Sequence, residues 1–177
     1  MIENKHDLSI SMERASVIVV WVSIPVAVAQ FTLFSWLHGA KQMEPTWNTV
    51  VLLAAILLGV VMHEWIHAIT WMILGHKPFS KIKFGFQWKT LTPYAHLTEP
   101  VKVNIYRLGA FMPGLVLGIL VFGLSLLLGD GNLFWFSLIH TSAAGGDWLV
   151  LWLIRNLKPG TMVEDHPTQA GCYVIET

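Results

Sequence analysis

Four long apolar stretches constrain this chain more than any other feature, because about 20 apolar residues in a row span a bilayer as a helix. The spacing predicts spans over residues 15–37, 47–74, 108–128 and 133–154. Buried helices of a soluble bundle would carry polar stripes, and these stretches mostly lack them. Of the 177 residues only 12% are charged, against about 25% in an ordinary soluble domain, and the mean hydropathy is +0.58. Nine Trp suit a chain with two lipid–water interfaces to anchor. Net charge is zero, so bulk charge offers no footprint for nucleic acid. The single cysteine, Cys172, excludes an internal disulfide and a cysteine zinc cluster.

Ala27-Val28-Ala29 looks like a signal-peptide cleavage site. However, residues 1–14 set Glu3, Asp7 and Glu13 against Lys5 and Arg14, and the apolar run continues to Leu37. A retained anchor is therefore expected.

The basic residues give an orientation. One side of a four-span layout receives Lys5, Arg14, Lys77, Lys81, Lys83, Lys89, Lys102, Arg107, Arg155 and Lys158; the other receives only Lys41. By the positive-inside rule both termini and the 75–107 loop are cytoplasmic. Within that loop, residues 81–89 alternate polar and apolar side chains apart from Gly85, and Thr92-Pro93 follows as a turn signal. The expected fold is an all-α membrane protein: four transmembrane helices with a small β-hairpin-like element in the cytoplasmic loop. Residues 1–177 then form one integral membrane domain, multi-pass in the cell membrane, with the lipid bilayer as its first partner. The hairpin is read as lying on the membrane surface, with strand addition of a peptide as the functional alternative.

The chemistry concentrates in His63-Glu64-Trp65-Ile66-His67. Histidines at i and i+4 share one helical face, so both imidazoles can reach one tetrahedral ion at about 2.0–2.1 Å. Glu64, rotated about 100° from His63, can reach a water beside the ion without being a ligand. A carboxylate deep in a spanning helix costs about 2.5–3.5 kcal/mol to insert, and a metal site offsets that cost. This is the logic of a metallohydrolase. A third ligand is then needed, and the last span offers His140 and Asp147. Asp147 lies about 10 Å from the cytoplasmic end of its span, the same depth as His67, whereas His140 sits two turns further out. Asp147 is thus the candidate ligand, and His140 suits a supporting or packing role. Pro113-Gly114 is expected to kink the third span, and Glu164-Asp165-His166-Pro167 is read as a solvated turn.

Further residues carry a resemblance. The HExxH helix, Tyr94-Ala95-His96 and Glu99-Pro100 in the loop, Asp147 within the bilayer and Asp165-His166-Pro167 in the tail resemble the Putative zincin peptidases, small bacterial membrane proteins. The likeness covers most of the chain after residue 47. That family is in turn similar to the site-2 proteases, intramembrane zinc enzymes using two His and a distant Asp. The resemblance implies Zn2+ held by His63, His67 and Asp147, with Glu64 as general base. It also implies peptide-bond hydrolysis in or near the cytoplasmic half of the bilayer, on a peptide or membrane-protein substrate. One feature departs: Gly145-Gly146-Asp147-Trp148 stands where site-2 proteases carry Asn-x-x-Pro-x-x-Asp-Gly. Two other readings compete. A non-catalytic metal-binding or transport protein needs a continuous polar path, and the outer halves of the spans hold only scattered polar residues such as Gln30. An inactive protease scaffold would not need Glu64, which is intact.

Overall fold

A computed structural model describes residues 4–176. In chain order the elements are β1 (Asn4–Ile10), α1 (Met12–His38), α2 (Thr49–Leu74), β2 (Ile82–Gln87), β3 (Thr92–Leu97) and β4 (Val101–Lys102). They continue with α3 (Val103–Pro113), α4 (Val121–Leu128), α5 (Gly131–Ala143), α6 (Gly145–Leu153), β5 (Met162–Asp165) and β6 (Ala170–Glu176).

Side-chain caps start three of the helices. Ser11 Oγ accepts from the Arg14 amide, Asn48 Oδ1 from that of Val50 and Asp130 Oδ1 from that of Leu133. Three helical stretches are long and apolar enough to cross a membrane: Met12–His38, Thr49–Leu74 and Val103–Leu128. Their outer faces carry large exposed hydrophobics such as Trp21, Leu57 and Leu127. A water-soluble surface does not tolerate apolar patches of that extent.

Two expectations need correction. The third span begins at Val103 rather than 108, because β4 runs directly into α3. It does not end at the proline: Pro113 closes α3, a π-helical segment runs over Gly114–Leu120, and α4 completes the apolar stretch. The carbonyls that a proline strands inside a helix are taken up here by wider turns. The stretch 133–154 is not one helix. It divides at Ala144 into α5 and α6, of 13 and 9 residues, so a fourth unbroken transmembrane helix is absent among the described residues. Gly145-Gly146 permits the break, since two residues without side chains favour neither continuing the helix nor packing across it.

α1 packs on α5 and α6, α2 on α3 and α5, and α3 on α6. Arg107 of α3 fastens the end of α6 by donating to the carbonyls of Ile154, Arg155 and Leu157. All strands lie at the end where α1 and α3 begin and α2 and α6 finish. β2 and β3 form an antiparallel hairpin, pairing Ile82 with Leu97 through Gln87 with Thr92. The turn is made at 88–91, where Leu91 has φ 52°. Thr92-Pro93, read as the turn signal, instead begins β3, where proline is tolerated at a strand start. The hairpin's aromatic face continues from the helices, for Trp65 of α2 stacks on Phe79 at 5.8 Å and meets Phe84 at 5.3 Å.

The tail is more than the expected solvated turn: Glu164 and Asp165 end β5 and His166 is buried, while Pro167 alone of the four is exposed. A four-stranded antiparallel sheet, in the order β1-β6-β5-β4, joins the two ends of the chain. Val101, Val163, Cys172 and Val174 of this sheet share one core with Ala68, Trp71, Tyr106 and Ile154 of the helices.

Candidate metal centre

The HExxH turn lies in the second half of α2, where His63 and His67 are both buried and their ring centroids stand 5.0 Å apart. The break at Ala144 puts Asp147 in the first turn of α6, where the positive end of the helix dipole favours a carboxylate. Asp147 reaches both imidazoles: Oδ2 lies 3.0 Å from His63 Nε2 and Oδ1 lies 3.4 Å from His67 Nε2. One ligand atom from each of the three residues falls within 4.8 Å of the others.

These spacings fit an ion. Ligands about 2.1 Å from a tetrahedral centre stand about 3.4 Å from each other, close to the two separations measured. His67 is also oriented from behind, since Nδ1–H donates to the Gly109 carbonyl at 2.9 Å. That bond fixes the tautomer and turns the Nε2 lone pair toward Asp147. Gly109 must be glycine for α3 to come so near, because a Cβ there would lie 2.0 Å from Trp71 Nε1.

Glu64 stands beside the cluster and outside it. Its carboxylate faces the Ala95 backbone amide of β3. It lines a cavity of about 620 Å³ together with His63, His67 and Asp147. Residues of the hairpin, including Thr92 and Tyr94, form one wall, and Val19, Leu57 and Val60 extend the cavity among the helices. The space is therefore bounded by apolar spans at one end and a sheet edge at the other.

A second polar cluster closes the side where the strands lie. Asp165 accepts from Tyr106 Oη at 2.6 Å, from His96 Nδ1 at 2.9 Å and from the Leu97 amide at 3.3 Å. One carboxylate thus ties β5 to β3 and α3. His166 is buried as well; its Nδ1 accepts from the amides of Thr168 and Gln169, and its Nε2 pairs with Tyr173 Oη at 2.8 Å. The run Ala170-Gly171-Cys172-Tyr173-Val174-Ile175 carries strand-forming residues, a signal that marks the tail as folded. Nothing local marked Tyr106 or Arg107, since both precede the predicted third span. Burial pushes the Cys172 thiol up to about 12, so the chain's one thiol is no nucleophile at neutral pH. His140 is fully buried against Gly59 of α2, outside the group of three.

A bundle of apolar helices, with an HExxH turn facing a carboxylate from another helix, defines a zincin-like membrane protein. Residues 56–162, more than half of the chain, match the model of the family described as Putative zincin peptidase, and the chain belongs to that family. No curated protein and no solved structure matches it.

Proposed function

We propose that the protein is a membrane-embedded zinc metallopeptidase that cuts peptide bonds at the cytoplasmic half of the bilayer. The observation that carries this reading is the meeting of His63, His67 and Asp147 with ligand atoms 3.0 and 3.4 Å apart, beside Glu64 on a shared cavity. His63 and His67 bind through Nε2, and Asp147 supplies the anionic third ligand. Bound there, zinc supplies the Lewis acidity that makes water a nucleophile near neutral pH. Glu64 takes the proton from the attacking water and delivers it to the departing amine, as a base that is not a ligand. The apolar wall of Val19, Leu57 and Val60 keeps bulk water from the reacting carbonyl, and the hairpin side admits an extended peptide.

The orientation follows from charge. Ten Lys and Arg fall on the side of the sheets and one on the other, so both termini are cytoplasmic and the whole chain is one multi-pass membrane domain. On this reading residues 131–153 complete the fourth crossing as two stacked helices, α5 and α6. The aromatic face shared by Trp65, Phe79 and Phe84 then rests in the cytoplasmic interface. The substrate is a peptide or membrane protein that presents an unfolded segment at that depth.

The test is purified protein in vesicles, assayed for bound zinc and for cleavage of a membrane-anchored reporter polypeptide. One zinc per chain and chelator-sensitive cleavage are expected. A protein that takes up no divalent metal overturns the reading.

A further inference from the structure

Five buried side-chain atoms among the described residues lack a hydrogen-bond partner: Gln30 Oε1, Trp71 Nε1, His63 Nδ1 and both ring nitrogens of His140. Three of the five thus belong to two imidazoles. A neutral imidazole always carries one N–H donor and one lone pair, so a dry apolar pocket never satisfies it. Buried groups left unpaired in a native fold call for a water, an ion or a role.

The two rings are neighbours by construction. Side chains on an α-helix lean back toward its N-terminus, so the ring of His63 lies over the turn that contains Gly59. A Cβ on Gly59 would stand 2.2 Å from His140 Nε2 and 2.6 Å from its Cε1. His140 therefore fills the place of the side chain that Gly59 lacks. The two rings line the same cavity. The backbone of Ile56, one turn before Gly59 on α2, also lies against the His140 ring.

The contrast with His67 gives the requirement. With Nε2 as metal ligand, Nδ1 carries the proton and must donate it. His67 donates to Gly109, whereas His63 has no protein acceptor. We propose that His140 is a positioning residue for the candidate metal centre. It holds one ordered water that receives the His63 Nδ1 proton and thereby fixes the tautomer and direction of that ligand. The water donates one hydrogen to the lone pair of His140, and the remaining His140 N–H faces the Ile56 carbonyl. Both imidazoles line the cavity, and their unpaired nitrogens with the Ile56 backbone are the polar partners that a buried water needs. This inference rests on the zinc-site reading above.

The test compares zinc-loaded wild type with His140→Phe and His140→Asn, measuring zinc stoichiometry, affinity by chelator competition, and thermal unfolding of the metal-free proteins. His140→Phe is expected to hold one zinc at saturation with affinity lower by about 10–100-fold, the usual cost of losing the group behind a ligand. His140→Asn keeps an acceptor and is expected to recover most of that loss. Metal-free His140→Phe should unfold no earlier than wild type, which separates positioning from a structural role. Affinities within about threefold of wild type in both variants would overturn the inference while leaving the zinc site intact. Loss of the zinc itself from folded His140→Asn would make His140 a ligand and overturn it too. A wild type that binds no zinc overturns this inference together with the zinc-site reading.

Discussion

The two ends of the helical bundle treat their polar groups in opposite ways. Around the outer loops the buried polar side chains among the described residues are paired. Asn132 accepts from the Trp47 amide and donates to Thr46 Oγ1, Trp135 donates to the Met43 carbonyl, and Ser125 and Ser137 turn back on their own helices. Around them Phe34, Met43 and Phe134 form a closed apolar cluster. From the middle of the bundle to the inner end, nitrogens of His63, Trp71 and His140 stay unpaired, and two imidazoles and a carboxylate crowd one point. A folded chain keeps its polar groups satisfied where structure is the only demand, and leaves capacity where a ligand completes the site. The closed outer cluster also opposes a transport reading, which requires a polar path through both ends.

The largest break in this comparison comes from Glu64→Gln. Removing the base while leaving the ligands should cut peptidase activity by about 10²–10⁴-fold with zinc content unchanged at one per chain. Metal analysis beside the cleavage assay checks it. Zinc lost in this variant would make Glu64 a ligand and place it inside the cluster.

Asp147→Ala should come next, abolishing most bound zinc because two imidazoles alone leave the ion without its anionic partner. The contact to both histidines disappears in the same step. Retention of zinc at wild-type affinity would detach α6 from the site.

How far the sequence foretold this site depends on the range of the signal. His63, Glu64 and His67 were legible because their spacing is local and the apolar run around them makes any charge conspicuous. Asp147 was legible by depth, since a bilayer turns residue counts into heights. The break at Ala144 was not. Its small-residue run reads equally as a close-packing face of one helix, and it serves as one where Gly145 meets Val19 of α1, so only the Ala144 backbone, at ψ 0°, shows the break. The four-stranded sheet was hidden for another reason. β1 pairs with β6 across nearly the whole chain, and such a partnership leaves no local periodicity. Asp165 therefore passed for a turn residue, although its three donors come from α3 and β3.

Those donors supply the third prediction. Asp165→Ala strands Tyr106 Oη and His96 Nδ1 at the end that carries the strands, while Asn132→Ala strands the Trp47 amide at the opposite end. Each should lower stability by about 1–3 kcal/mol, the cost of a buried donor without an acceptor. Asp165→Ala should have the larger effect, because its bonds are to a charged acceptor and it joins three elements. Thermal unfolding in detergent measures both. Zinc affinity should fall, if at all, only in Asp165→Ala; a fall in Asn132→Ala would mean that the ends are coupled.

The smallest effect is expected at the boundary between the ends. Gln30 of α1 is buried, its Nε2 donates to Thr141 Oγ1 at 3.2 Å, and its Oε1 has no partner. It sits on the helix that packs against both α5 and α6, so it could belong to either region. Gln30→Met loses one neutral hydrogen bond, worth about 0.5–1.5 kcal/mol net, and removes an acceptor whose burial is itself unfavourable. Thr141 keeps its bond to the Ser137 carbonyl at 2.8 Å, so no new group is left unpaired. These terms oppose each other, and the melting temperature should move by only a few degrees in either direction. Zinc affinity should not change, because Oε1 lies outside the cavity lining. A Gln30→Met variant that weakens zinc binding tenfold would show that its free oxygen serves the metal centre through water, and the inner region would then extend to α1.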